Sequence, residues 1–270
     1  MLIAIIALIV VCFLYVLSTM CRSDHADMKK LQNWRYAHRG YHGEGAPENS
    51  MEAFRRARSE GFGIELDVHL LADGNLAVIH DSALIRTTGK EGMVEDLTAL
   101  DLGNYTLEGT EQTIPLFSDV LDLCKGRIPL IVELKSTKDN FAQLCEKTCQ
   151  LLDGYEGMYC IESFDPRCIF WLRKNRPDII RGQLSYRYSG KCKSTKEWLL
   201  KFLLKNHMLN FLVYPDFVAY QFKDRKTLVN FLCRKLWGAQ GVIWTLRTQQ
   251  EMTQSVKEDW LPIFEGFYPD

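Results

Sequence analysis

From Trp34 onward, short runs of apolar and β-branched residues alternate with longer stretches whose apolar positions recur every three or four residues. The first pattern predicts strands and the second amphipathic helices. Strands are expected near Trp34–His38, Gly63–His69, Ile128–Leu134, Met158–Ser163, Ile179–Leu184, Phe217–Tyr220, Val242–Thr245 and Leu261–Gly266. Helices are expected near Ser50–Glu60, Leu116–Cys124, Asn140–Leu152, Pro166–Asn175, Thr195–Lys205, Lys223–Trp237 and Gln249–Ser255. Such alternation predicts an α/β fold, a TIM-type (β/α)8 barrel of about 250 residues. A doubly wound open sheet is the alternative. The segment 75–113 interrupts the alternation with a short strand, Leu76–Ile79, then His80-Asp81 and a turn-rich excursion through Gly89, Gly92, Gly103 and Gly109. It reads as an insertion after the second strand, lying over one end of the barrel.

The pattern before Trp34 is different. Met1 to Leu17 are all apolar, and no charged side chain precedes Arg22. About 20 helical residues span a bilayer's hydrocarbon. Residues 1–21 are therefore expected to form an uncleaved single-pass transmembrane helix, joined by a linker over 22–33 to a barrel over 34–270. A cleaved signal peptide is the rival, but it calls for a basic region before the apolar run. Arg22, Lys29 and Lys30 follow the run, so the positive-inside rule puts the barrel in the cytoplasm.

The chain has 270 residues, 47% of them hydrophobic, enough for a full core without disulfides. Its net charge of -1 gives no general attraction to nucleic acid, and none is expected as a partner. Nine cysteines, none in a zinc-type spacing, read as reduced and mostly buried thiols, which favours a reducing compartment.

Polar residues interrupt the predicted strands toward their C-terminal ends, where barrels of this kind place their sites. The first strand ends in His38-Arg39-Gly40, the second carries Glu65-Leu66-Asp67-Val68-His69, the inserted one ends in His80-Asp81, and the third carries Glu133-Leu134-Lys135. Side chains alternate faces along a strand, so Glu65 and Asp67 point one way, as do Glu133 and Lys135. Inward carboxylates are costly unless paired or bound to metal. Glu65, Asp67 and Glu133 make a hard oxygen site suited to Ca2+ or Mg2+. Arg39 and Lys135 fit a phosphate beside it. His38 and His80 supply an acid–base pair for a phosphodiester displacement. Trp171, Trp198 and Trp237 fall in helical patterns and read as packing residues; the basic stretch from Arg187 to Lys196 reads as a solvated loop.

The ordered set His38-Arg39-Gly40, Pro47-Glu48-Asn49-Ser50, Ala53-Phe54, Gly61, Glu65 to His69, Asp73-Gly74 and His80-Asp81 resembles the signature of the glycerophosphodiester phosphodiesterase family. The similarity continues through Arg86-Thr87-Thr88-Gly89, Ile114-Pro115, Glu133-Leu134-Lys135, Ser163-Phe164-Asp165 and Trp244-Thr245. It implies a TIM barrel that binds a divalent cation and hydrolyses glycerophosphodiesters to glycerol 3-phosphate and an alcohol. The family's metal ligands match Glu65, Asp67 and Glu133, its histidines His38 and His80, and its phosphate-binding cations Arg39 and Lys135. Glu48 matches a carboxylate near the site and Trp244 a residue at the barrel mouth. The chain departs from the family at its end, where Phe264-Glu265-Gly266-Phe267-Tyr268-Pro269 replaces a Thr-Asp-Tyr-Pro-like run. Action on membrane lipids (lysophospholipase D-like or phospholipase C-like), or a non-catalytic binding barrel, are the alternative expectations.

Overall fold

Strict alternation along Gly63–Leu70 shows how the sequence builds the core. Ile64, Leu66 and Val68 pack outward into the layer beneath the helices, while Glu65, Asp67 and His69 take the opposite face. Leu130, Val132 and Leu134 do the same around Ile131 and Glu133. The computed structural model describes residues 1–137, 139–188 and 194–270. Its strands are β1 (Tyr36–His38), β2 (Gly63–Leu70), β3 (Leu76–Val78), β4 (Leu130–Leu134), β5 (Tyr159–Ser163), β6 (Arg181–Ser185), β7 (Phe217–Gln221), β8 (Gln240–Leu246) and β9 (Trp260–Phe264). They follow the order β1-β9-β8-β7-β6-β5-β4-β2-β3, and β1 also pairs with β2. Eight parallel strands thus close a barrel, while β3 adds to β2 antiparallel, beyond the point where β1 ends. The open sheet is excluded by that closure.

Helices α3 (Met51–Ser59), α5 (Phe117–Cys124), α6 (Phe141–Leu152), α7 (Pro166–Asn175), α8 (Thr195–Lys205), α9 (Asn210–Val213), α10 (Leu228–Phe231) and α11 (Gln249–Lys257) lie outside the strands. The single helix expected over Lys223–Trp237 is broken into a 3-10 turn, α10 and a π turn at Leu232–Leu236. The break falls where Arg225 turns inward, pairing with Glu258 at 2.7 Å and donating to Phe222 O, and Thr227 caps a new start by accepting from Asn230 N. Between β3 and α5 the insertion carries the short helix α4 (Ile85–Thr88) and two 3-10 turns, around its own small core of Leu84, Val94, Leu102, Leu107 and Ile114.

The N-terminal region differs from the expected anchor and linker. Helix α1 (Leu2–Ser18) has 17 residues, none buried. Among the described residues no helix is long and apolar enough to cross a membrane. The apolar run stops short of the span expected over 1–21 because the barrel captures the next residues. Thr19 and Cys21 are buried, Trp237 Nε1 donates to Thr19 Oγ1 at 3.1 Å, and Cys21 joins a cluster with Val218, Val229 and Cys233. Nor is 22–33 a free tether. Arg22 clasps Asp216 and donates to Pro177 O and Ile179 O. Helix α2 (Met28–Gln32) then plugs the barrel floor with the fully buried Leu31, packed among Tyr36, Ile131, Ile180, Phe217 and Ile263. Cys192 and part of the basic stretch lie outside the described residues; the eight described cysteines are free thiols.

One close approach in this floor is testable. A Cβ on Gly182 of β6 would lie 2.0 Å from the ring of the buried Phe217 on β7. Gly182→Ala is expected to cost about 1–3 kcal/mol by overpacking, read from the urea midpoint. An unchanged midpoint would show that the ring has room to yield.

Candidate active site

The catalytic face is assembled from strand ends that two tight turns bring together. After His38, Arg39 (φ 55°) and Gly40 (φ 80°) both take left-handed backbone, and a Cβ on Gly40 would sit 2.9 Å from the Ala53 backbone. Only glycine permits that contact between the turn and α3. Asn49 (φ 55°) donates its backbone N–H to Arg39 O, and Ser50 caps α3 by accepting from Ala53 N. The Pro47-Glu48-Asn49-Ser50 run is thereby pressed onto the turn that carries His38 and Arg39. Asn49 Nδ2 donates to Asp67 Oδ2 at 2.8 Å, and Arg39 Nη1 donates to Glu48 Oε1 at 2.9 Å.

Glu65, Asp67 and Glu133 each place an oxygen within 4.8 Å of the others, all three side chains buried. Burial and the charges of Asp67, Glu133 and Glu162 push Glu65 well above the usual carboxylate range. Burial likewise lifts Glu133 to about 7 against the pull of Lys135. Asp67 resists burial: Lys135, His80, Arg39 and the Asn49 amide hold it well below the ordinary value. Lys135 Nζ bridges Glu133 at 2.7 Å and Asp67 at 3.0 Å. A donor set of oxygens alone, carrying mutual repulsion that one lysine does not remove, fits a hard divalent cation.

The two histidines share a design. His38 Nδ1 lies 2.5 Å from Glu265 Oε2, and His80 Nδ1 lies 2.6 Å from Asp81 Oδ1. In each, the carboxylate occupies Nδ1 and leaves Nε2 for proton transfer. His38 Nε2 lies 3.9 Å from Glu65, on the side of the acidic cluster. Burial lowers both histidines below their ordinary value, in part opposed by their carboxylate partners. His69 is a support: it bonds Glu95 at 2.7 Å and touches His80 O at 3.1 Å, fixing the strand end behind His80.

A cavity of about 400 Å³ opens over this centre, lined by His38, Arg39, Glu65, His80 and Glu133 and on the far side by Phe164 and Trp244. Phe164 and Trp244 meet edge to face with centroids 5.8 Å apart. Asp67, Lys135 and Glu48 stand just behind, each in contact with a lining residue. The structure therefore gathers all nine residues singled out in the sequence. It adds two that motif reading passed over. Glu162, buried on β5 and paired in register with Glu133, lines the cavity. Its signal was the alternation Cys160, Glu162 on one face and Ile161 on the other. Glu265 sits at the end of β9, within the segment that departs from the family pattern, so its partnership with His38 had no motif to announce it.

Phosphodiester hydrolysis is the chemistry for which such a mouth is equipped, and known proteins agree. The model of the glycerophosphoryl diester phosphodiesterase family matches residues 38–261. A glycerophosphodiester phosphodiesterase of Caldanaerobacter subterraneus is 30% identical over 82% of this chain and 88% of its own length. One from Bacillus altitudinis is 37% identical over 53% of this chain, and the match spans 63% of that protein. A phosphodiesterase of Oleispira antarctica, solved with the product sn-glycerol-3-phosphate, superposes with a TM-score of 0.71 over 88% of this chain and 94% of its own, at 18% identity. The chain is a barrel hydrolase of phosphodiesters, and it belongs to the glycerophosphoryl diester phosphodiesterase family.

Proposed function

We propose that this chain cleaves glycerophosphodiesters to glycerol 3-phosphate and an alcohol, using a divalent cation held by Glu65, Asp67 and Glu133. The observation that carries the mechanism is the pair of histidines, each with Nδ1 on a carboxylate, facing one acidic cavity. Glu65, Asp67 and Glu133 would hold a hard cation, Mg2+ or Ca2+, which would neutralise charge on the phosphoryl oxygens. Arg39 and Lys135 bind the same phosphate and turn from their carboxylate partners toward it. One histidine takes the proton of the attacking oxygen, and the other protonates the departing alkoxide. Glu265 and Asp81 orient the two rings and stabilise whichever becomes imidazolium. Glu48 holds Arg39 and Arg86 in place, at 2.9 and 2.6 Å. Trp244 and Phe164 wall the alcohol side.

The same reading places the protein at a membrane, with α1 embedded and the barrel on the cytoplasmic side. It rests on the wholly apolar, exposed α1 and on the basic residues Arg22, Lys29 and Lys30 that follow it, of which Arg22 pairs with Asp216 and Lys30 with Asp27. The decisive experiment follows glycerol 3-phosphate and choline release from glycerophosphocholine, with Mg2+ or Ca2+ and after chelation. Metal-dependent release in equal amounts is expected. Release of phosphocholine instead would place cleavage on the wrong side of phosphorus and sink the reading.

A further inference from the structure

Trp198 does not pack as its helical spacing suggested. On α8, Trp198, Leu199, Leu200 and Phe202 are 41–55% exposed, and no residue of that helix is buried. Four large apolar side chains left open on one short helix, with no described residue covering them, call for a partner.

Position identifies that partner. Strands of the barrel run from floor to catalytic rim. Ser185, the last residue of β6, donates to Leu204 O at 3.0 Å, and Tyr220 near the top of β7 donates to Lys205 O at 3.4 Å. The last turn of α8 therefore rests at rim level, and its earlier turns lead away from the barrel. Tyr186 links the two regions: it meets Phe164 and Trp244 of the mouth edge to face and lies 4.2 Å from Tyr188, in the segment leading to α8. Helix α1 is rooted in the same wall. Cys21 packs with Val218 on β7 and Trp237 Nε1 donates to Thr19 Oγ1, so α1 leaves the barrel from the β7 wall. Its free part, Leu2 to Leu14, is exposed along its whole length.

Helix α8 thus stands at the rim beside the mouth, and the exposed apolar α1 leaves the neighbouring β7 wall. Helix α1 is apolar all round, unlike a segment that docks in a protein groove, which is apolar along one stripe. Its free part is about 20 Å long, enough to enter one leaflet and too short to span. Helix α8 carries three lysines and one glutamate beside its aromatics, the composition of an interfacial helix on an anionic surface. Trp198 stacked on Phe202 at 5.6 Å suits the headgroup level.

We infer that α1 and α8 together form a lipid-docking face that turns the catalytic mouth toward an anionic bilayer. The mouth then draws its phosphodiesters from lipid headgroups, a consequence that rests on the proposed hydrolysis; the docking does not.

The test uses the full chain with vesicles of phosphatidylcholine and phosphatidylglycerol, part of the phosphatidylcholine brominated in its acyl chains. Tryptophan emission of the wild type is expected to be quenched, and the quenched component to be lost in Trp198→Phe. Equal quenching in both proteins would overturn the docking of α8. The triple variant Trp198→Ser, Leu199→Ser, Phe202→Ser is expected to lose at least about tenfold in hydrolysis of vesicle-borne lysophospholipid, since three apolar side chains no longer leave water. It should keep its turnover on soluble glycerophosphocholine. Undiminished vesicle hydrolysis, or a wild-type dimer that the serines dissolve with no lipid quenching, would also overturn the inference. Absence of all hydrolysis by the wild type would instead remove the proposed function and leave the quenching result standing.

Discussion

His38→Ala and His80→Ala each lower turnover on glycerophosphocholine by about 10²–10⁴, the usual worth of a positioned acid or base. The structure adds how the two effects separate. Each ring is held through Nδ1, by Glu265 or by Asp81, so each acts through Nε2 and neither substitutes for the other. A p-nitrophenyl phosphodiester leaves with little protonation. It therefore restores turnover to the variant lacking the acid and not to the one lacking the base. Glu265→Gln keeps the ring near its place but removes the charge that supports imidazolium at His38, so its loss falls on turnover with little change in KM. Near wild-type turnover of both alanine variants on both substrates would refute the mechanism.

Glu65→Gln and Glu133→Gln weaken divalent-metal binding by at least about 10–100-fold, a loss that even removal of a supporting second-layer partner produces. Isothermal calorimetry measures the affinity directly, and turnover at limiting metal follows it. The metal-free protein provides a second readout. The folded value of Glu65 is raised above that of the unfolded chain by burial and by neighbouring carboxylates. Its contribution is therefore fully present below about pH 4.3 and is lost as pH rises toward the folded value. Chelated wild type should lose stability as pH rises above that point, and Glu65→Gln should lessen the loss, leaving the part that the likewise raised Glu133 and Glu162 contribute. Saturating metal should reverse the ranking and make the wild type the more stable of the two. Unchanged affinity in both variants would move the cation elsewhere.

Much of this is legible in the sequence, for definable reasons. Parallel strands buried on both faces read as short apolar runs, and the helices between them show their own period. The eight strands were therefore found to within a residue or two at most ends. Glu65, Asp67 and Glu133 stood out because charge inside an apolar run is expensive and must have a use. Glu162 obeys the same rule but has no adjacent charged partner on its own strand, and its neighbour Glu133 is supplied only by strand pairing. Glu265 escaped because a residue just past a strand's end joins His38 only when the barrel closes β9 onto β1. At the N-terminus, composition alone registered the apolar run. That the barrel takes Thr19 and Cys21 into its wall, shortening the helix, depends on a pocket built by residues two hundred positions away. Trp198 was misplaced because helical period reports that a face exists, not what meets it.

The docked stretch from Thr19 to Gln32 also governs how the molecule can be handled and how it moves. Because Arg22 is locked to Asp216 and Leu31 stoppers the floor, the junction between α1 and the barrel works as a strut, without the slack of a swivel. Any tilt imposed on α1 is transmitted to the whole catalytic body, so the mouth keeps one bearing relative to that helix. Trimming the chain at Asp27 would do more than cut a mooring line; it would draw the bolt that braces β7. A cut placed just ahead of Thr19 would sever the helix and leave the brace intact.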